Sequence, residues 1–236
     1  MTICRVRTTK TCSGFRPRIQ PVVAAALLAI GLSCAALSAP LDLGELERRA
    51  RAGDIAAQLR LGRLYEEGVG VDLDYAHSVA WYQIAADSGD QRGRYALGMK
   101  YFSGKGVKRD YAKAAELISG AAEAGLADAQ YRLGMMRRRG LGVAIDFATA
   151  AVWLRRAADQ GHGLAHARLA AMYLDGVGVA RDAVEAYVLF SVAAKKGVSS
   201  ARPRRAQAKR TLSAADLARA KKLAAERIAR LERATP

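Results

Sequence analysis

A repeat of 36 residues is the feature that most constrains how this chain can fold. Two columns of glycines keep this spacing: Gly62, Gly98 and Gly134, which Ala170 continues, and Gly53, Gly89, Gly125, Gly161 and Gly197. A period of this length is typical of a solenoid, in which each repeat packs only on its neighbours. Such a fold offers an extended surface to a partner and does not enclose one deep catalytic pocket.

Other residue types recur in the same register and divide the chain into units. The columns are Leu61, Leu97, Leu133 and Leu169; Tyr65, Tyr101, Arg137 and Tyr173; Asp74, Asp110, Asp146 and Asp182; and Trp81, Leu117, Trp153 and Leu189. We therefore expect four repeats, at 54–89, 90–125, 126–161 and 162–197.

The first half of each repeat has the pattern of a helix. In the first repeat, Ala57, Leu61 and Tyr65 fall at i, i+4 and i+8, which predicts one buried stripe on a helix from about Asp54 to Glu67. Gly62 lies beside this stripe, so its bare Cα would let a second helix approach closely.

The second half of each repeat predicts a tight turn and a second helix. The G-x-G-V loop offers two positions that tolerate positive φ, the second being Gly70, Gly106, Gly142 and Gly178. Asp74 suits the N-cap of a helix that runs to about Ser88 and ends at Gly89. We expect this helix to bury the column of Ser78, Trp81 and Ala85.

Short helices are expected on both sides of the repeats. Residues 40–53 read as an N-terminal capping helix that ends at Gly53. Residues 198–236 read as two basic capping helices, from about Ser199 to Arg210 and from about Ala214 to Leu231, with Ser213 as the N-cap of the second.

The chain resembles the Sel-one-like repeat (SLR), a relative of the tetratricopeptide repeat, in the pattern A-x-x-x-L-G-x-x-Y-x-x-G-x-G-V-x-x-D-x-A-x-A-x-x-W-x-x-x-A-A-x-x-G. The match runs from Gly53 to Gly197. The resemblance implies an all-α, right-handed solenoid of antiparallel helix pairs that acts as a scaffold or adaptor in protein complexes. Some secreted members clamp each helix pair with a disulfide and have been assigned β-lactam-related activity. This chain is unlike them, because it has no cysteine after Cys34.

Residues 1–39 carry the features of a targeting segment. Basic residues precede a charge-free apolar run from Pro21 to Pro40, as in a secretory signal peptide. The run is also near the length of a membrane span, so an N-terminal inner-membrane anchor is an alternative, as is a lipoprotein modified at Cys34. Together with the resemblance, this predicts a periplasmic, exported protein whose mature part contains no cysteine.

The positive charge is concentrated at the C-terminus. The formal net charge is +16, and residues 195–236 contain thirteen Lys and Arg but only three acidic residues. Such a surface fits an anionic membrane, the cell wall or an acidic protein, although it is also typical of a merely solvated helix. Nucleic acid is not expected, because no aromatic residue alternates with these charges.

Motifs for catalysis are not found in the sequence. His162 and His166 stand four residues apart, a spacing that can place two imidazoles on one helix face for zinc, but no Glu follows His162 as in H-E-x-x-H. We interpret them as surface histidines at a repeat junction and expect no metal, no cofactor and no enzyme activity.

The resemblance implies that the first helices line the concave side of the superhelix, which predicts a partner-binding groove. Columns 59, 63 and 66 fall on one helix face and vary between repeats more than the core columns do. The candidate groove residues are Leu59, Arg63, Tyr95, Met99, Phe102, Tyr131, Met135 and Arg138. The alternative is that the tyrosines and methionines pack between repeats.

The sequence thus predicts a non-catalytic exported scaffold that binds a protein or peptide. The other hypothesis is a peptidoglycan-associated enzyme or its accessory protein.

Overall fold

Eleven α-helices and no strand make up residues 42–234, the part of the chain that the computed structural model describes. The helices are α1 Leu43–Arg51, α2 Ile55–Glu67, α3 Tyr75–Asp87, α4 Gln91–Ser103, α5 Tyr111–Glu123, α6 Ala127–Arg139, α7 Phe147–Asp159, α8 Gly163–Asp175, α9 Ala183–Lys195, α10 Ala201–Arg210 and α11 Ala214–Ala234. The predicted targeting segment, 1–39, lies outside the described residues.

The helices pack in the order in which the chain forms them. The pairs α2/α3, α4/α5, α6/α7 and α8/α9 each pack closely, and the second helix of a pair also packs on the first helix of the next. Helix α1 covers α2 at the N-terminal end. The predicted all-α solenoid of helix pairs is confirmed.

Aspartate side chains begin the second helices, as predicted. The Asp74 carboxylate accepts hydrogen bonds from the backbone N–H groups of Ala76 and His77, at 2.8 and 3.0 Å. The capping residues of the four second helices are Asp74, Asp110, Asp146 and Asp182. Each satisfies at least one N–H that the first helical turn leaves without a partner.

A backbone hydrogen bond also fixes each capping aspartate to the first helix of its own repeat. The N–H of Asp74 donates to the carbonyl of Tyr65 at 2.9 Å, and the same bond joins Asp146 to Arg137 at 3.0 Å. Between these residues, both loop glycines adopt positive φ in all four repeats. Arg137 can replace Tyr in this column because the bond that recurs in all four repeats uses the main chain of this position.

In each second helix a large buried side chain lies one residue after the Trp81 column, although Leu189 of that column is buried as well. Ser78 and Ala85 are buried as expected, but Trp81 is only half-buried and the adjacent Tyr82 fills the core. The buried column is Tyr82, Ile118, Leu154 and Phe190. The prediction for Trp81 was wrong because neighbouring positions on a helix differ by about 100° in direction, and the packing partner decides which one faces inward.

The helical glycines make room for this column. A Cβ on Gly98 would stand 2.8 Å from Cγ1 of Ile118, and one on Gly134 would stand 2.9 Å from Cγ of Leu154. Both distances are too short for real Cβ contacts. The glycine column therefore permits close approach of the two helices in a pair, as the sequence indicated.

Two buried glutamines each join a first helix to the helix that precedes it. The Gln58 amide donates to the carbonyl of Ala50 at 3.0 Å, and the Gln130 amide donates to the carbonyl of Ala122 at 3.2 Å. Each bond crosses from a first helix to the helix before it. His166 occupies the same position in the fourth repeat.

The C-terminal helices close the solenoid by covering α9. Helices α10 and α11 both pack on α9, rather than pairing closely with each other as the helices of a repeat do. Consequently α9 is buried without a break from Ala186 to Ala193. Arg227 of α11 pairs with Glu185 at 2.6 Å, and Ser213 accepts a hydrogen bond from the N–H of Asp216, as expected for an N-cap.

Candidate partner-binding groove

A groove of about 820 Å³ runs along the first helices of repeats 1 and 2. Helices α2 and α4 form its walls, and Leu126 and Asp128 at the start of α6 lie at one end. Four residues of the predicted set line it together: Leu59, Arg63, Tyr95 and Met99. The first-helix face that the sequence singled out thus forms a continuous concave surface in these two repeats.

An ion pair between a buried lysine and a half-buried glutamate forms part of the lining of the groove. The Lys100 side chain is only 3 % exposed, and its Nζ lies 2.7 Å from Oε2 of Glu66. The ammonium also stands over the rings of Tyr75 and Tyr82, at 5.4 and 5.5 Å from their centroids. The hydroxyl of Tyr82 donates to the same Glu66 oxygen at 3.3 Å.

This arrangement balances the charge of a buried lysine. A desolvated ammonium is costly unless a carboxylate and polarizable groups compensate it. Burial and the neighbouring Glu66 carboxylate raise the pKa of Tyr82 above its ordinary value, so this hydroxyl stays protonated and keeps its donor. The pair therefore fixes α2, α3 and α4 relative to one another where they meet the groove.

Arginine and lysine side chains line the walls above this pair. Arg60, Arg63 and Lys105 are exposed and form no ion pair within residues 42–234. Arg92 also lines the groove but is held by Asp90 at 3.0 Å. Among the acidic lining residues, Glu66 is paired with Lys100. Asp128 lies 3.2 Å from His162 Nε2, and neither Asp128 nor Glu67 forms an ion pair with a Lys or Arg within residues 42–234.

Tyr95 contributes an amphipathic side chain to the groove. Burial raises the pKa of its hydroxyl, while the nearby Arg132 guanidinium acts in the opposite direction. The side chain is half-buried, so part of its surface remains available to a partner. Met99, also half-buried, adds a flexible apolar surface.

The other predicted groove residues lie elsewhere. Phe102 packs edge-on against Tyr111 and lies under the guanidinium of Arg132. Tyr131 stacks on His162, with centroids 4.6 Å apart. Met135 is 6 % exposed and offers almost no surface.

Arg138 lines a separate pocket of about 220 Å³, which Phe147, Asp175 and Val177 also border. The sequence-predicted set therefore divides into four residues that share the groove and four that do not.

The interpretation of His162 and His166 as surface histidines was wrong, because His162 is half-buried, His166 is buried, and both have structural roles. His162 is the N-cap of α8, and its Nδ1 accepts a hydrogen bond from the N–H of Ala165 at 3.1 Å. His166 is 2 % exposed, and its Nδ1 lies 3.1 Å from the carbonyl of His162. Residues 42–234 contain no group of three or more His, Cys, Asp or Glu that is placed to hold a metal ion.

Several lining residues were missed at the sequence level. Tyr82 was passed over for its neighbour Trp81, and Arg60, Arg92 and Lys105 stand in columns that the repeat pattern leaves free. Lys100 did carry a signal. Its column reads Leu64, Lys100, Met136 and Met172, so a charge replaces an apolar residue that is buried in the other repeats.

Comparison with known proteins accounts for the repeated architecture. The Sel1 repeat model matches residues 55–90, 92–126, 127–162 and 163–198. The chain belongs to the Sel1 repeat family. Proteins with Sel1 repeats generally mediate protein–protein interactions and act as non-catalytic scaffolds.

Two solved structures give the extent of the similarity. A protective antigen of uropathogenic Escherichia coli strains that displays an SLR fold is 31 % identical, with a TM-score of 0.72 over 81 % of this chain and 43 % of the antigen. A Sel1 repeat protein from Oxalobacter formigenes is 33 % identical, with a TM-score of 0.63 over 69 % of this chain and 47 % of that protein.

This chain therefore spans less than half the length of either protein. No curated protein matches its sequence. Within residues 42–234, no helix has the length and apolar character that crossing a bilayer would require.

Proposed function

We propose that this protein is an exported, non-catalytic scaffold that holds a segment of a partner protein in the groove between α2 and α4. The observation that carries the proposal is the groove itself, an open surface of about 820 Å³ on the first helices of two adjacent repeats. Interaction with proteins is also what Sel1 repeats generally do.

The lining has the chemistry of a protein-binding surface. Leu59 and Met99 supply apolar area, and methionine adapts its shape to different partners. Tyr95 and Arg63 belong to the residue types that contribute most binding energy in protein interfaces. Because the Lys100–Glu66 pair fixes the helices beneath them, these side chains are presented on a rigid support.

Export to the periplasm is part of the same proposal. It rests on the basic and apolar segments within residues 1–39, which have the order of a secretory signal. The lack of cysteine after Cys34 is compatible with this compartment, since a mature domain without thiols needs no disulfide chemistry there.

The basic C-terminal surface gives the scaffold a second contact. Helix α10 carries five basic residues and no acidic one, and Arg202, Arg204, Lys209 and Arg210 are exposed. We include in the proposal that this surface contacts an anionic membrane or the cell wall, since charge attraction of this kind needs no apolar insertion.

The test is affinity capture of the tagged protein from its own host after crosslinking, with cell fractions kept separate. A reproducible envelope protein should be captured, and the double variant Tyr95→Ala with Met99→Ala should capture much less of it. Val152→Ala, which trims an exposed valine on α7, serves as the control. Thermal unfolding by circular dichroism checks that each variant is folded.

Two results would overturn the proposal. If the double variant captures as much of the partner protein as the unmodified protein does, the partner does not bind in this groove. Retention of the protein on purified sacculi, with no captured protein, would favour the cell-wall alternative instead.

A further inference from the structure

The groove carries more positive than negative charge that is free to act on a partner. Of its acidic residues, Glu66 is neutralised by Lys100 and Asp128 faces His162. Arg60, Arg63 and Lys105 have no carboxylate partner within residues 42–234. In the same range no Lys or Arg pairs with Glu67 or Asp128, so three cations of the lining face two carboxylates. A cationic wall over an apolar lining favours a ligand that brings carboxylates and apolar side chains together.

The dimensions of the groove set the length of such a ligand. Its α2 wall runs from Ala56 to Glu67, which corresponds to about 16 Å of helix. An extended chain rises about 3.3 Å per residue, so about five residues fit along this wall. Alternate side chains of an extended segment point in opposite directions, so one set can meet Leu59 and Met99 while the other remains near the arginines.

The cations are distributed along this path. Arg60 and Arg63 stand on α2, one helical turn apart, and Lys105 follows α4 at the opposite end from Asp128. The Lys105 ammonium lies over the Tyr75 ring, 5.1 Å from its centroid, which keeps it beside the groove without neutralising it. Acidic side chains at alternate positions of a ligand can therefore each find a basic partner.

We propose that the groove selects an extended segment of about five residues that alternates acidic and apolar side chains. This inference rests on the proposed function and names the chemical class of its partner. The carboxylates of the ligand form ion pairs with Arg60, Arg63 and Lys105. Its apolar side chains contact Leu59, Tyr95 and Met99. Since exposed charges are involved, the preference weakens as ionic strength rises.

Fluorescence polarisation with defined peptide pools tests this proposal. The probes are fluorescein-labelled peptides blocked at both termini, in which apolar residues alternate with Asp or Glu, with Asn or Gln, or with Lys or Arg. The purified full chain should bind the acidic pool at least about ten-fold more tightly than the amide pool at low salt, a difference of about 1.4 kcal/mol. It should bind the basic pool least.

Matched variants test whether the preference for acidic peptides comes from the arginines of the groove. Arg60→Gln with Arg63→Gln should reduce the ratio of acidic to amide binding towards one. Arg202→Gln with Arg204→Gln removes the same charge from α10 and should leave the ratio unchanged. An equal loss in both variants, or equal binding of the acidic and amide pools by the unmodified protein, would overturn the proposal.

The outcomes separate this proposal from the one on which it rests. If the amide or basic pool binds as well as the acidic pool, and Tyr95→Ala with Met99→Ala abolishes that binding, the groove stands and the acidic preference is wrong. If no variant of the groove affects any pool, and capture of the envelope partner is also unaffected, both proposals fail.

Discussion

Gly106 in the second repeat lies directly against the carbonyl oxygen of Tyr75 in the first. An added Cβ would have no room there, and the same contact joins Gly142 to Tyr111 and Gly178 to Phe147. The loop glycine therefore has two functions. It adopts a positive φ within its own repeat, and it lets the loop rest on the second helix of the preceding repeat.

Replacing Gly106 with alanine should separate these two functions. Gly106 has φ of +76° and a blocked Cβ position, whereas Gly125 has φ of +97° and nothing within 4 Å of its Cβ position. Gly125→Ala should lower the free energy of unfolding by about 1 kcal/mol, from backbone conformation alone. Gly106→Ala should lower it by roughly 1 to 3 kcal/mol more, because the loop must move away from Tyr75.

Urea unfolding of both variants, followed by circular dichroism, measures the difference. Equal losses would show that the backbone conformation alone accounts for the glycine, and that the contact between repeats has no energetic importance.

The contact between Gly98 and Ile118 makes a second prediction. Alanine is a better helix former than glycine by about 1 kcal/mol, so Gly98→Ala would stabilise an isolated helix. In the protein, its Cβ would stand 2.8 Å from Cγ1 of Ile118. We expect a net destabilisation of about 1 to 2 kcal/mol, since overpacking of a core exceeds the gain in propensity.

A double-mutant cycle checks that this contact is the cause. Ile118→Ala alone should lower the free energy of unfolding by about 2 to 5 kcal/mol. In the Gly98→Ala background the same substitution should lower it clearly less, because the new methyl group occupies some of the vacated space. Strictly additive losses would contradict the packing explanation.

The repeats could be predicted because glycine and aspartate mark the helix ends by local chemistry. The second helix of the first repeat was expected to end near Ser88 and ends at Asp87, and Asp74 caps it as expected. The choice between Trp81 and Tyr82 as the core residue could not be made in this way. It depends on which side chain fits the space above Gly62, a relationship between two helices rather than a property of one.

The groove could be predicted only in part for a related reason. Leu59 and Tyr95 line the groove together because helical periodicity fixes which face they share. Met135 has the same periodicity, but the helices around α6 bury it. Lys100 was missed because its burial depends on Glu66, which lies in another repeat.

The basic surface of α10 should bind anionic bilayers. A cation near such a surface contributes about 1 kcal/mol, so replacing Arg204, Lys209 and Arg210 with Gln should weaken binding about a hundred-fold. The control variant replaces Lys108, Arg109 and Arg181 with Gln. These residues are exposed in the repeat loops, so the control removes the same net charge. Co-sedimentation with phosphatidylglycerol-containing vesicles, compared with phosphatidylcholine alone, gives the affinities. An equal effect of both triple variants would assign the attraction to net charge and not to this surface.

His166 should make the stability of the protein depend on pH. It is 2 % exposed, and burial lowers the pKa of its imidazole below the ordinary value of 6.5. The hydrogen bond with the His162 backbone and the charge of Asp159 oppose this shift, whereas the positive charges of Arg227 and Lys196 add to it. The folded protein thus holds His166 neutral at a pH where the unfolded chain protonates it. Its contribution to stability is complete above pH 6.5 and is lost as the pH falls through the lower, folded-state pKa.

Chemical unfolding between pH 8 and about pH 5.5 tests this, because the aspartates with lowered pKa values titrate below this window. The free energy of unfolding should decrease below pH 6.5, with a slope of at most about 1.4 kcal/mol per pH unit for one group. His166→Gln should flatten this slope. Glutamine already occupies the same column at Gln58 and Gln130, so the variant should fold. The exposed His77→Gln is the control and should retain the slope, and a slope that also persists in His166→Gln would mean that another group is responsible.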